Sequence, residues 1–130
     1  MGSEYMVSNK NTEKIKAVLK EFLELNKDIK ALLLAHSDGT PITSTLTSEE
    51  ESLVLSAILA TLTALNRKIV NYIPLSKFIY STSRFEEGGI FITTFDGEYL
   101  LLVYYSKNAK LGLLMRDIEL LKRKLKGLLI

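Results

Sequence analysis

Residues Thr47–Tyr72, TSEEESLVLSAILATLTALNRKIVNY, constrain this chain more than any other stretch. They read as one long helix. Thr47 or Ser48 can cap its start, and Glu49, Glu50 and Glu51 occupy the first turn, where carboxylates suit the positive helix end. Arg67 and Lys68 lie near the far end, with Pro74 just beyond. Val54, Leu55, Ile58, Leu59, Leu62, Leu65 and Ile69 make one broad apolar face, and Ala57, Ala60 and Ala64 form a second ridge of small side chains. One core needs only one face. The broad face is expected to cover a sheet, which leaves the alanine ridge for a twin helix.

The flanking segments supply that sheet. Thr12–Asn26 carries Ile15, Val18, Leu19, Phe22 and Leu25 at helical spacing. Ile29–His36, IKALLLAH, is an apolar run suited to a strand covered on both sides. Asp38-Gly39 predicts a two-residue hairpin into Pro41–Thr45, and the leading proline places that strand at an edge. After the long helix come three strands: Ser76–Phe85, Ile90–Phe95 and Glu98–Tyr105. Glu86–Gly89 and Asp96-Gly97 are the turns between them. The last of these, EYLLLVYY, is apolar on both faces and belongs in mid-sheet beside Ile29–His36. Lys107–Gly127 is a final helix with Leu111, Leu114, Met115, Ile118, Leu121 and Leu125 inward, Leu113 and Leu120 on the opposite side, and Gly127 as its cap. The expected architecture is α-β-β-α-β-β-β-α: a five-stranded antiparallel sheet with the long helix on one face and the two terminal helices on the other.

Composition limits the chemistry. The chain has 130 residues, one histidine and no cysteine, which excludes disulfides, thiolate metal sites and cysteine nucleophiles. A net charge of +2 gives no case for nucleic acid. No apolar run is expected to approach the roughly 18 residues of a membrane span, so no integral membrane segment is expected. MGSEYMVSNKN has no apolar core of a signal peptide. Residues 1–11 are expected to be a disordered terminus or cloning remnant, and residues 12–130 a single cytoplasmic domain. His36, Ser37 and Asp38 are adjacent in sequence, so their side chains alternate across a strand end and cannot line up as a relay. No GxxxxGK[ST] or GxGxxG is present, so no nucleotide or other cofactor is expected. Nothing pairs a nucleophile with a base, and the chain reads as a non-enzyme.

In ordered combination these features resemble the Roadblock / dynein light chain family. The resemblance rests on a helix before an aliphatic strand, Asp38-Gly39 leading to Pro41-Ile42, a long Leu/Ala/Ser/Thr helix, a three-strand meander with Asp96-Gly97 before LLLVYY, and a terminal helix opening Asn108-Ala109-Lys110-Leu111-Gly112. It implies a profilin-like α/β (α+β) sandwich. It also implies a homodimer, or a heterodimer with a related Roadblock protein, in which long helices pack together and the strand after each pairs across the dyad. Binding to a Ras-like small GTPase is implied too, as scaffold or activator. Bacterial members activate a polarity-controlling GTPase; eukaryotic members scaffold Rag GTPases or dynein cargo.

On that basis Leu53, Ala57, Ala60, Thr61, Ala64, Phe78, Ile79 and Tyr80 are the expected dimer interface. Ser56, Thr63, Arg67 and Arg84 are the expected partner-binding residues, with Arg84 the better placed for insertion into a GTPase. The alternative is a profilin-like sensory domain that binds a small molecule or peptide. It needs an apolar pocket between sheet and helix, and the dense Leu/Ile packing leaves little room for one.

Overall fold

The computed structural model describes residues 9–129. Its elements are α1 (Asn9–Leu25), β1 (Ile29–His36), β2 (Pro41–Ser44), α2 (Glu49–Lys68), β3 (Tyr80–Phe85), β4 (Gly88–Phe95), β5 (Tyr99–Ser106) and α3 (Leu111–Leu129). A 3₁₀ turn, Ile69–Asn71, extends α2. Most of the residues expected to be a disordered terminus lie outside the described region. However, α1 starts before Thr12, and the Asn11 side chain donates to the Leu128 carbonyl at 3.1 Å, which ties the two terminal helices together.

The sheet runs β2-β1-β5-β4-β3, all antiparallel, with β1 and β5 adjacent as expected and β2 and β3 at the edges. Successive side chains alternate between faces. Leu32, Leu34, Leu101, Val103, Tyr105, Phe91 and Phe95 point to one face, where Ile15 and Leu19 of α1 and Leu114, Ile118, Leu121 and Leu125 of α3 cover them. Leu33, Ala35, Leu100, Leu102 and Ile92 point to the other face, where Leu59 of α2 is the buried helix residue. The strands themselves therefore supply most of the bulk on the α2 side. Leu25 was expected in the inner stripe of α1 and is exposed instead. It ends the helix, and Asn26 Nδ2 donates to the Phe22 carbonyl at 2.7 Å as the chain leaves.

The turns differ in kind. At Asp96-Gly97 both residues have positive φ, 57° and 69°, as a two-residue type I′ turn requires. At the β1–β2 connection only Gly39 does. Gly39 N–H donates to the His36 carbonyl and His36 N–H to the Thr40 carbonyl, so this is a three-residue loop and not the expected two-residue hairpin. Thr40 N–H donates to Asp38 Oδ1 at 2.9 Å and lowers that carboxyl's pKa. The pair Gly88-Gly89 does more than turn the chain. A Cβ on Gly89 would sit 2.3 Å from the Tyr105 ring, and one on Gly88 would sit 2.3 Å from the Tyr105 carbonyl oxygen. The buried Tyr105 ring lies across these glycines, and its hydroxyl shares a 2.7 Å hydrogen bond with Thr82 Oγ1. α3 runs through Gly127 to Leu129, so Gly127 is interior and not a cap.

Candidate partner-facing surface

α2 is held to the sheet by its small side. Ser48 caps it by accepting from Glu51 N–H at 3.1 Å. Its buried residues are Ser52, Ser56, Leu59 and Thr63. Ser52 and Ser44 share a buried 2.7 Å hydrogen bond, and Thr63 donates to the Leu59 carbonyl at 2.8 Å. Ser56 Oγ is buried with no partner, an arrangement that costs about 1–3 kcal/mol. This overturns the expected orientation of the helix. Of the broad apolar face, only Leu59 is fully buried and Leu55 partly so. Val54, Ile58, Leu62, Leu65 and Ile69 are exposed, with Ile58 at 46% and Leu62 at 38%. The physical reason is bulk. β1 and β5 already raise Leu33, Leu100 and Leu102 toward the helix, and serines let its backbone come close where leucines would hold it off.

The alanine ridge also has an address within the same chain. A Cβ on Gly39 would lie 3.4 Å from Ala60 Cβ and 3.6 Å from Ala57 Cα, so the ridge runs beside the β1–β2 loop. Leu53 lines a groove with Pro41, Ile42 and Thr43 on that same side. The large aliphatic flank faces the other way. Leu55 lines an apolar cleft of about 340 Å³ with Leu46, Phe85, Ile90, Leu102 and Tyr104. The absence of room expected from the dense packing is therefore corrected. α2 lies mainly over β1, β2 and β5, with Leu59 in the same buried cluster as Ile92 of β4, and the sheet opens toward the β3 edge. By length and composition Glu49–Asn71 is apolar enough to cross a membrane, with mean hydropathy 1.5, although no unbroken apolar run signals this. Only 17% of that window is buried, because the apolar character sits on the outer flank.

The expected site residues therefore fall into separate groups. Leu53, Ala57, Ala60 and Ala64 lie toward β2, and Thr61 is exposed with its hydroxyl bonded to the Ala57 carbonyl. Phe78, Ile79 and Tyr80 lie at the opposite, β3 edge, where Tyr80 stacks on Phe91 at 5.0 Å. Ser56 and Thr63, at 0% and 1% exposure, face the sheet and are not reachable by a partner; helical spacing placed them beside a ridge whose outward side was misassigned. Arg67 is half-buried at a groove with Phe78 and Thr94. Arg84 sits opposite Gly89 on the α3 side of the sheet, its guanidinium 6.0 Å above the Tyr105 ring, so it is not on the face that α2 occupies. The outward apolar residues not expected from the sequence are Val54, Ile58, Leu62, Leu65 and Ile69, with Leu55, Phe85 and Tyr104 lining the cleft. One signal could have found them: the Ser52, Ser56, Leu59, Thr63 stripe is the helix line that fits against strands already lined with leucine. Among the described residues no group of acidic or histidine side chains could hold a metal.

This topology, with one helix alone on one face and two terminal helices on the other, defines a profilin-like α+β sandwich. The chain belongs to the Roadblock/LC7 domain family, whose model matches residues 14–105. Its fold is similar to Myxococcus xanthus MglB, with TM-score 0.81, 18% identity, and 95% of each chain covered. It is also similar to a Roadblock/LC7 domain from Streptomyces avermitilis, with TM-score 0.80, 12% identity, 86% of this chain and 94% of that one. The profilin likeness is explicit in LokiProfilin2 from its complex with rabbit actin, with TM-score 0.56, 17% identity, and 87% and 96% covered. No curated protein sequence matches the chain.

Proposed function

We propose that this chain is a dimeric, non-enzymatic regulator or scaffold of a Ras-like small GTPase, working in the cytoplasm. The observation that carries the reading is the run of uncovered surface on one side of the molecule. The aliphatic flank of α2, the apolar cleft beside it and the unpaired β3 edge adjoin one another. An open edge strand is a template for pairing, and a flank of this size in a monomer marks an interface. A two-fold contact satisfies both, because flank and edge each meet their own copies. Family membership supports the same assembly and the GTPase as partner.

The corrected helix orientation divides the labour. Ile58, Leu62, Leu65 and Ile69, with Phe78, Ile79 and the backbone of Tyr80, form the dimer contact, the Tyr80 ring lying on the α3 side against Phe91. Leu53, Ala57, Thr61 and Ala64 stay accessible on the paired helices as the surface offered to the GTPase. Arg84, held over Tyr105 on the other face, is not aimed there. The regulator therefore works by docking and reshaping its partner, without an inserted arginine.

Two measurements test this. Sedimentation equilibrium should give a dimer at micromolar concentration. A Ras-like GTPase from the same genome should bind differently when loaded with GDP and with a non-hydrolysable GTP analogue. A stable monomer, or binding indifferent to nucleotide, would sink the reading. The apolar cleft favours a second one: its volume suits a small apolar ligand or peptide side chain. A metabolite screen that raises the melting temperature by several degrees would support it.

A further inference from the structure

On the opposite face of the sheet from α2, α3 carries a second uncovered apolar line. Leu113 and Leu120, at 50% and 49% exposure, lie on its outer side in line with Gly127. Arg116 and Arg123 run parallel to them, both exposed. At the near end, exposed Leu25 and Leu113 line one cleft, with Lys27 and Lys110 balanced there by Asp28 and Asp117. Neither Gly112 nor Gly127 has a packing reason to be glycine, since a Cβ at either would meet nothing in the fold. Each weakens the helix while keeping its outer surface low.

Charge is concentrated on the same layer. Residues 11–28 and 107–129 hold eleven lysines and arginines against six acids, a balance of +5 in a chain whose total is +2. The remainder is therefore net negative. Local pairing cancels it only in part: Lys122 reaches Glu119 and Lys126 reaches Asp96, both at 3.3 Å, and Lys107 reaches Glu87 at 3.8 Å, while among the described residues Lys110 and Arg123 take part in no ion pair. Lys124 reaches Glu21 only at 3.9 Å and Arg116 reaches Asp117 only at 4.0 Å.

We infer that the outer face of α3, with Leu25 beside it, docks on an anionic lipid bilayer. A partner helix would need a second apolar line between the leucines to make a packing seam. The intervening positions hold Lys110, Asp117 and Lys124. A bilayer surface needs no such seam. It takes isolated aliphatic anchors into its boundary and meets the surrounding cations with its headgroups. The GTPase and dimer readings are not required, although two copies on one side of an extended sheet would bind more tightly than one.

The test is flotation of the intact chain with vesicles of pure phosphatidylcholine, and with vesicles in which a quarter is phosphatidylglycerol. Binding is expected only to the anionic vesicles, and it should weaken as salt rises. Arg116→Glu with Arg123→Glu should weaken it by at least about tenfold. Leu113→Ser with Leu120→Ser should weaken it by a smaller factor, with melting temperature and solution mass unchanged in both variants. The inference is overturned by equal binding to neutral vesicles or by no binding. It is also overturned if soluble polyglutamate binds as tightly as the vesicles, which would mark an acidic-protein site. Loss of binding in Ile58→Asp but not in the α3 variants would place the lipid contact on α2 and overturn it as well.

Discussion

Ile58→Asp separates folding from assembly. In one chain Ile58 is nearly half exposed on the flank of α2 that faces away from the sheet core. The substitution there costs the monomer only what a surface change costs, about 0.5 kcal/mol, plus up to about 0.7 kcal/mol in helix propensity. The dimer loses more. Fully burying an isoleucine is worth about 1.5–3 kcal/mol, and roughly half remains to be buried, so each copy gives up about 1 kcal/mol. Each copy also brings a carboxylate into a dry contact, at a cost of several kcal/mol. The dimer is weakened by at least about 5 kcal/mol, or more than three powers of ten in Kd. Sedimentation equilibrium across the micromolar range should find a folded monomer, with an unchanged far-ultraviolet circular dichroism spectrum. Ala60→Glu is the control, because it strikes the chain's own Gly39 loop and should lower thermal stability whatever the assembly. A dimer that survives Ile58→Asp would refute the assignment of this flank to the interface.

Other substitutions probe the fold. Gly89→Ala drives a methyl into the pinned Tyr105 ring and should destabilise by about 2–4 kcal/mol in a urea titration, from overpacking and the lost Thr82 hydrogen bond. Tyr105→Leu in that background should recover part of the loss. Gly127→Ala should stabilise by about 0.5–1 kcal/mol, raising the melting temperature by about 2–4 °C, because its methyl meets only open space. The Asp38 carboxyl, lowered by the Thr40 N–H, favours the folded state above its unfolded pKa, and that contribution is lost as pH falls through its folded pKa. Asp38→Asn should flatten the acid limb of the stability profile slightly, since the group is solvent-screened. Tyr99, raised by burial and then by Glu98 and Asp96, favours folding below its unfolded pKa and loses that contribution as pH rises through its folded one. Tyr99→Phe should reduce alkaline destabilisation, and in wild type Tyr99 should ionise late in an ultraviolet titration.

Strand order and layering were readable because their causes are local. IKALLLAH and EYLLLVYY are apolar on both faces and have to lie between layers, while a leading proline sends β2 to an edge. The faces of α2 were misread because large apolar residues were assumed to point inward. That rule holds only when the opposing surface is not already filled, and here Leu33, Leu100 and Leu102 fill it. The Gly88-Gly89 pair read as turn punctuation because its second role depends on Tyr105, a contact across two strands with no local signature. The candidate site was half legible. The edge position of β3 is readable from the sequence, whereas the aliphatic flank of α2 reads as core.

The buried Ser44–Ser52 contact and the aliphatic exterior of α2 have a consequence for the life of the chain in a cell. A newly made copy displays on its surface the kind of aliphatic patch that chaperones and proteases take as the mark of an unfolded protein. Covering that patch removes the mark. Because the proposed cover is a second copy, the marked fraction is expected to fall as the chain's own concentration rises through the dimer Kd, with unpaired copies cleared first. Raising synthesis would then lengthen the mean lifetime of the pool, because a larger share of the copies is paired.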